Sequence, residues 1–370
     1  MKKHCSCVAV LALHRIPAEV PPSFTGHDKR FLREECIVNM EEEVLAMLEE
    51  SFRQYISGEE MARRLFITRA GIWKIVRNLR SRGYAILSSP QKGYCLSERK
   101  NYLASFLVRQ HLGEGLLTGI EVLKTVDSTN NYAKKLAASS GISDYLVLSE
   151  EQTAGKGRRE RSFYSPAKTG VYMSYILRPD MPVDDVQLLT ICAALAVCDA
   201  LESLYDIHAD IKWLNDVYIG GKKVCGILTE GDIELELFRY KYIVVGIGVN
   251  TERVENDIPE SIRSVFTAIS DHTKKAIDRN PLAAEITRSF FRYYRALQEG
   301  ASEREKIVSR YRAKSCVLGK TILLDGDRNQ TYTAWDISPQ GQLIVESDAG
   351  ERRTLNTGEI SIAEEKKLDD

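Results

Sequence analysis

A loop rich in glycine and cations, residues 152–161 (QTAGKGRRER), constrains this 370-residue chain more than any other segment. It directly follows the apolar, strand-like run 145–149 (YLVLS), so four cationic side chains begin where a strand ends. Gly155 and Gly157 allow the backbone to approach a ligand and to present its N–H groups. Guanidinium groups beside them can bind phosphate or carboxylate oxygens in pairs. Taken alone, such a run is more often a solvated basic surface loop, so the other segments decide its meaning.

A predicted β-hairpin and a predicted buried strand follow this loop. Residues 212–216 (KWLND) open one strand that runs to the turn signal 220–221 (GG) and returns over 222–230 (KKVCGILTE). Residues 242–250 (YIVVGIGVN) predict a buried strand whose glycines permit close approach by a neighbouring group. Each segment alone is ordinary strand and turn chemistry.

A helix start precedes the loop. Residues 127–130 (DSTN) lead into a helical pattern over 131–139. Ser128 or Thr129 suits a helix N-cap. The spare hydroxyl and amide groups of this segment can hold a small polar ligand.

In this order and spacing, the motifs together resemble the biotin–protein ligases. That family carries a serine-threonine-asparagine helix start, a glutamine before a GRGRRGR-like loop, a KWPND strand, a GIL hairpin return and a GIGIN-like strand. The matching residues here are 128–130, 152, 155–161, 212–216, 226–228 and 246–250. The resemblance extends from about Val44 to Ala363 and leaves out the first forty or so residues.

Three positions depart from the family pattern. Lys156 stands in place of the usual arginine, which keeps the charge and loses the planar guanidinium fork. Glu160 replaces a usual glycine and puts an anion inside the cationic loop, and Leu214 replaces a usual proline. None of the three removes Gln152, Arg158 or Lys212, so we expect activity.

The resemblance implies two steps at one site. The carboxylate of biotin attacks the α-phosphate of ATP, giving biotinyl-5′-AMP and pyrophosphate. A lysine of a biotin carboxyl carrier domain then takes the biotinyl group. Because the first step joins two anions, preorganised cations should lower its barrier. The predicted catalytic residues are Lys212 and Arg158, and Mg²⁺ is expected to accompany ATP.

The resemblance also implies a set of binding residues. Those assigned to biotin are Ser128, Thr129, Asn130, Gln152, Lys156, Gly157, Arg158 and Lys212. Gly155, Arg159 and Arg161 are assigned to a loop that closes over the adenylate and excludes water from this mixed anhydride. Trp213 is more often a buried core residue than a ligand wall, and Asn215 and Asp216 either bind ligand or fix the turn. No metal site is predicted.

Residues 40–97 have the pattern of a winged helix-turn-helix. Ser57 and Thr68 are predicted caps of two successive helices, the second of them over 69–82. The runs 84–87 and 94–96 predict a β wing. The predicted buried face of the second helix is Ile72, Trp73, Ile75, Val76 and Leu79.

The charge of this segment favours DNA binding. Between positions 61 and 82 there are seven Lys or Arg and no acidic residue, although the whole chain has a net charge of −1. A local cationic face on a neutral protein is typical of phosphate-backbone binding. The predicted DNA-binding helix-turn-helix extends from Gly58 to Arg77 and includes Arg69 and Lys74. The alternative is a basic, solvated helix face or a winged domain used for protein contacts.

The predicted fold class is α+β with several domains. An N-terminal winged helix-turn-helix precedes a central mixed β-sheet ligase domain with helices and a C-terminal SH3-like β-barrel. The predicted boundaries are 1–39 for an unassigned extension, 40–97 for the DNA-binding domain, 98–118 for a helical connector, 119–312 for the ligase domain and 313–365 for the barrel. Translation could instead start at Met40.

These patterns predict a bifunctional biotin–protein ligase and biotin-responsive repressor of biotin genes. Its expected partners are a biotin-accepting carrier domain, operator DNA and a second copy of the chain in a ligand-promoted homodimer, with no membrane. One alternative is a DNA-binding biotin sensor with weak or no ligase activity, and another is a ligase with a vestigial winged domain. A lipoate ligase is disfavoured because its arginine pair runs into a glycine triplet. The eight scattered cysteines without a CxxC pair predict reduced thiols and a cytoplasmic protein.

Overall fold

The structure is a computed structural model. It describes residues 40–81, 83–98, 102–234, 236, 238–254, 258–324, 327–358 and 360–362. The predicted extension 1–39 lies outside these ranges. The described part of the chain divides near residue 100 into two compact units.

The N-terminal unit has the predicted helices and wing. Its elements are α1 (40–50), α2 (Gly58–Arg64), α3 (Arg69–Ser81), β1 (Ala85–Ser89) and β2 (Gly93–Glu98). Ser57 caps α2 by accepting from the Glu60 N–H at 3.0 Å, and Thr68 accepts from the Gly71 N–H at 3.1 Å. Both hydroxyl groups satisfy helix-end donors that would otherwise lack partners. The two strands pair antiparallel as the wing.

One residue of the predicted buried face of α3 is on the wrong side. Ile72, Ile75, Val76 and Leu79 are buried, but Trp73 is 55% exposed. The buried positions follow the i, i+3, i+4, i+7 spacing of one helix face, and position 73 lies about 100° away from Ile72 around the axis. Trp73 was predicted to be buried because it is hydrophobic, but the helical period places it outside the buried face of α3.

In the second unit, seven strands of the described residues form a mixed sheet in the order β3-β4-β5-β9-β8-β7-β6. The strands are β3 (Gly119–Leu123), β4 (Tyr145–Ser149), β5 (Gly170–Leu177), β6 (Asp210–Lys212), β7 (Asp216–Ile219), β8 (Lys222–Glu234) and β9 (Arg239–Asn250). β3 and β4 run parallel and the other neighbours run antiparallel.

The predicted single strand through 212–219 is wrong. Residues 213–215 form a turn between β6 and β7, and Lys212 pairs with Asp216 across it. Trp213 explains the break because its indole is 3% exposed and donates from Nε1 to the Gly341 carbonyl at 2.9 Å. Because this large side chain is buried against the C-terminal segment, residue 213 does not follow the alternating side-chain directions of a strand. Trp213 is a core residue, as expected.

Helices cover both faces of the sheet. They are α4 (Ser105–Leu112), α5 (Thr129–Ser139), α6 (Val186–Tyr205), α7 (Glu260–Arg263), α8 (Arg279–Gln298) and α9 (Ala301–Ala313). α5 packs through Ala133 and Ala137 on one face, whereas α6 and α8 share the large core on the other. α6 is long and apolar enough to cross a membrane by composition, but its apolar window is 78% buried inside the unit. Such burial is typical of a core helix.

The C-terminal strands form a five-stranded antiparallel sheet in the described residues, in the order β13-β12-β11-β10-β14. They are β10 (Thr321–Leu324), β11 (Asp327–Ile337), β12 (Leu343–Ser347), β13 (Arg352–Leu355) and β14 (Ile360–Ile362). The sequence did not predict β13, whose first three residues are exposed and show no apolar alternation. Closure of this sheet into an SH3-like barrel stays a prediction.

Candidate active site

The motifs singled out in the sequence meet at one pocket in the second unit. The pocket is bounded by the start of α5, the cationic loop and the glycine-containing parts of β8 and β9. Its lining residues are Ser128, Thr129, Asn130, Gln152, Lys156, Gly157, Arg158, Phe163, Asn215, Lys223, Gly226, Ile227, Leu228, Gly246, Ile247 and Gly248.

The glutamine before the loop caps the helix that opens the site. The Gln152 side-chain carbonyl accepts from the Thr129 N–H at 2.8 Å and from the Thr129 hydroxyl at 3.1 Å. Ser128 is at the predicted N-cap position, but its side chain makes no capping hydrogen bond. Because the Gln152 carbonyl is used in the fold, its amide NH₂ is the part that can donate to a ligand.

Asn130 joins the helix to the sheet. Its Oδ1 accepts from the Ser174 hydroxyl at 2.7 Å, and its Nδ2 donates to the Leu228 carbonyl at 3.1 Å and to Glu230 at 2.8 Å. The side chain is 4% exposed and a Cβ at Gly246 would lie 2.0 Å from its Oδ1. Asn130 therefore lines the pocket while its polar atoms hold the scaffold together.

The cationic loop is a compact turn rather than an open arc. The Gly157 N–H donates to the Arg161 carbonyl at 2.7 Å and the Phe163 N–H donates to the Gly155 carbonyl at 2.8 Å. Gly155 has no room for a side chain because a Cβ would lie 2.5 Å from the Phe163 carbonyl. Arg159 and Glu160 both have left-handed backbones, with φ of 52° and 61°. That conformation favours glycine, which is what the family pattern has at position 160.

Arg158 is the arginine that the loop directs to the sheet. Its guanidinium donates to Asn215 Oδ1 at 3.0 Å. Asn215 in turn donates from Nδ2 to the Ile227 carbonyl at 3.0 Å and accepts from the Ile227 N–H on its own carbonyl at 2.9 Å. Asn215, left open between ligand contact and turn by the sequence, is thus a fixed bridge between Arg158 and β8.

Lys223 lines the pocket, although its place in the sequence did not predict it as a site residue. Its Nζ lies 2.7 Å from Asp216 Oδ1 and 3.2 Å from the place of a Cβ on Gly226. Strand alternation would put Lys223 and Gly226 on opposite faces because they are three residues apart. The register of β7 and β8 shifts so that Val217 pairs with Cys225 and Tyr218 with Lys223. This bulge at position 224 brings the lysine onto the pocket face.

Lys212 lies outside the pocket lining. It ends the edge strand β6, and its Nζ lies 5.7 Å from the centre of the Tyr218 ring. Since Lys212 pairs with Asp216, which pairs with Gly226, it projects from the same sheet face two strands away. The predicted Lys212 is therefore near the pocket's edge and not on its wall.

Glycines and one aromatic ring form an apolar wall. A Cβ on Gly248 would lie 2.4 Å from the Phe163 ring, and one on Gly226 would lie 3.1 Å from it. The ring therefore lies directly on the backbone of β8 and β9. Next to Gly226, burial raises the pKa of the Cys225 thiol well above its ordinary value, which keeps it protonated and makes it a small apolar residue.

Three family models match the chain in the order of its elements. The HTH domain model matches residues 41–95, the Biotin/lipoate A/B protein ligase family matches 122–250, and the Biotin protein ligase C terminal domain matches 317–362. A helix-turn-helix followed by both ligase domains defines a class, that of ligases with a DNA-binding domain.

Similar proteins and solved structures identify the family within this class. The chain is 33% identical over 257 residues to the bifunctional ligase/repressor BirA of Bacillus subtilis, covering 69% of this chain and 78% of the relative. It is 30% identical over 321 residues to BirA of Salmonella typhimurium, covering 84% of this chain and 93% of the relative. A structure of the Aquifex aeolicus biotin protein ligase with biotin and ATP matches with a TM-score of 0.56 and 28% identity, covering 67% of this chain and 99% of that one.

The chain belongs to the family of the bifunctional ligase/repressor BirA. The predicted resemblance, the enzyme class and the combined ligase and repressor function are confirmed by these matches. The alternative of a biotin sensor without ligase activity is not favoured. The predicted domain boundaries and the roles of individual site residues stay predictions.

Proposed function

We propose that the pocket binds biotin and ATP, forms biotinyl-5′-AMP and pyrophosphate, and passes the biotinyl group to a lysine of a biotin carboxyl carrier domain with release of AMP. The observation that carries this proposal is the convergence of the helix start, the cationic loop and two glycine strands on one pocket. The Aquifex aeolicus ligase of similar fold was solved with biotin and ATP.

The two ends of the pocket suit the two ends of biotin. Hydroxyl and amide groups of Ser128, Thr129 and Gln152 are polar partners for the ureido head. Ile247 and Phe163 are apolar walls for the ring system. The substrate carboxylate then points to the cationic side of the pocket.

The cations on the wall stabilise charge during adenylation. The biotin carboxylate oxygen forms a bond to the α-phosphorus of ATP, and the bond to the pyrophosphate oxygen breaks. Negative charge spreads over the phosphoryl oxygens, where fixed cations act most strongly. We assign this work to Arg158, Lys156 and Lys223, because all three line the pocket. Asn215 and Asp216 are positioning residues for Arg158 and Lys223.

We assign Lys212 a secondary role in binding ATP. From the sheet edge it can act on the part of ATP that extends beyond the pocket, together with Arg159 and Arg161 of the loop. Mg²⁺ would arrive bound to the ATP phosphates. No cluster of three or more His, Cys, Asp or Glu that could hold a metal occurs among the residues that the structure describes, so we assign it no set of protein ligands.

The helix-turn-helix gives the second function. The exposed, cationic side of α3 would bind operator DNA, and biotinyl-5′-AMP would favour a homodimer by binding the dimer-competent state more tightly. The relatives named above are repressors as well as ligases. A cytoplasmic location agrees with the use of ATP and with the free thiols Cys95, Cys192, Cys198, Cys225 and Cys316.

Biotin-dependent exchange of labelled pyrophosphate into ATP tests the proposal. We expect exchange by the full chain, a loss of about 100-fold or more in Lys223→Met, and a smaller loss in Lys212→Met. Lys222→Met is the matched control, since that lysine is exposed and does not line the pocket. A larger loss in Lys212→Met would return the main catalytic role to Lys212. Tight biotin binding without exchange would instead identify a sensor.

A further inference from the structure

The helix-turn-helix exposes two large aromatic side chains. Trp73, the fifth residue of α3, is 55% exposed, and Phe66, in the turn between α2 and α3, is 94% exposed. Each exposed ring leaves a large apolar area hydrated, so a partner that covers the ring gains the free energy of burying that area. Trp73 also stands in the first half of α3, the part of a recognition helix that contacts base edges.

The surroundings of the Trp73 ring are cationic. The Arg77 guanidinium carbon lies 5.5 Å from the ring centre, within cation–π range. Arg69 and Lys74 are exposed on neighbouring turns of the same helix. The segment 61–82 contains seven Lys or Arg and no acid. Charge complementarity therefore favours a polyanionic partner, and an apolar ring within a cationic face suits the DNA major groove.

We propose that Trp73 is a specificity-determining residue that reads thymine. Its indole packs against the C5-methyl group of a thymine in the major groove, the one apolar feature that a base pair presents there. Arg77, held along the ring, binds an adjacent phosphate. The inference rests on the DNA-binding function proposed above and adds which base α3 selects.

A selected duplex and its thymine-to-deoxyuridine analogues test this inference. The full chain, with biotin, ATP and Mg²⁺, selects bound duplexes from a random-sequence library. Affinities of wild type and Trp73→Ala are then measured for one selected duplex and for versions with single thymines replaced by deoxyuridine, which lacks the methyl group. We expect one or two replacements to weaken wild type by about fourfold each and to leave Trp73→Ala unchanged.

The salt dependence separates base reading from phosphate binding. Trp73→Ala should lose about tenfold in affinity for the selected duplex, while the slope of affinity against salt and the binding of unselected DNA stay as in wild type. Arg77→Ala is the matched control, and it should lower the salt slope by about one phosphate contact on every sequence. Trp73→Phe, which keeps an aromatic ring, should recover part of the thymine preference.

Different failures have different meanings. If Trp73→Ala discriminates thymine from deoxyuridine as wild type does, the inference is wrong and the repressor function stands. If the variant changes self-association and leaves DNA affinity unchanged, the ring is a protein contact and the inference is also wrong. A wild type that selects no duplex would overturn both the DNA-binding function and this inference. Unchanged biotinylation and melting temperature show that the variants are folded.

Discussion

Replacing Gly246 by alanine should destabilise the second unit, which contains the ligase pocket, because the new side chain would displace Asn130. The new Cβ would lie 2.0 Å from Asn130 Oδ1, 2.8 Å from its Cγ and 3.0 Å from its Nδ2. Real Cβ atoms do not approach other heavy atoms this closely, so Asn130 must leave its position. Because Asn130 is 4% exposed and bonded at both ends, no nearby alternative satisfies the same partners.

The magnitude follows from the bonds that this movement breaks. Asn130 gives up hydrogen bonds with Ser174, the Leu228 carbonyl and Glu230. At about 1 kcal/mol each, the loss is about 3 kcal/mol before any strain from overpacking. For a unit of this size that corresponds to a decrease of about 6–12 °C in melting temperature.

A double-mutant cycle isolates the cause. Asn130→Ala should itself cost about 3 kcal/mol, and adding Gly246→Ala to it should cost almost nothing because the obstructing atoms are gone. The two single effects should therefore exceed the double effect by about 3 kcal/mol. Gly141→Ala is the matched control, since no atom lies within 4 Å of its added Cβ.

Calorimetry of the full chain measures these effects. Adding biotin identifies the unfolding transition of the second unit, because a ligand raises the melting temperature only of the unit that binds it. Additive losses in the double variant, or a Gly246→Ala variant that melts with wild type, would refute the argument that Asn130 is the fixed obstacle.

Two further predictions concern the loop and its preceding glutamine. Glu160→Gly should raise stability by up to about 1 kcal/mol, since φ of 61° is strained for glutamate and free for glycine, and calorimetry measures the shift; a decrease would mean that the Glu160 side chain makes a stabilising contact. Gln152→Glu should retain stability, because it keeps the oxygen that caps α5 at Thr129, but it should weaken biotin binding by about tenfold or more through loss of the amide donor. Biotin titration calorimetry measures this affinity, and an unchanged value would show that Gln152 only caps the helix.

Much of the fold was predictable because local periodicity and tertiary structure agree. The helices α3 and α5 were predicted within two residues of their observed ends, and the strand-like run 145–149 is β4 with the same bounds. The helix α9 and the strand β13 were not predicted, since neither has a clear apolar stripe. Their positions depend on partners distant in the sequence.

The location of the site could be predicted from the sequence, but the role of each residue in it was harder to predict. Polar and glycine motifs that end strands or begin helices collect at one pocket, so Ser128, Gln152 and Arg158 were found from the sequence alone. The face of each strand residue depends on register, and the bulge at position 224 changes the face of Lys223. A bulge leaves no signal in a run such as KKVCGIL, because both faces of β8 are covered there and Val224, Cys225 and Ile227 are all buried.

The same polar residues build the pocket wall and hold the scaffold, which limits what a substitution can report. Asn130, Asn215 and the Gln152 carbonyl are engaged with the protein before any ligand arrives. Removing one of them would lower activity even if it never touched substrate, because Arg158 or α5 would lose its position. The informative variants keep the scaffold contact and change only the atom that faces the pocket. Gln152→Glu meets that condition, and a loss of activity in it would therefore be assigned to the ligand-facing group rather than to the fold. Lys223→Met does not, because it also breaks the ion pair between Lys223 and Asp216.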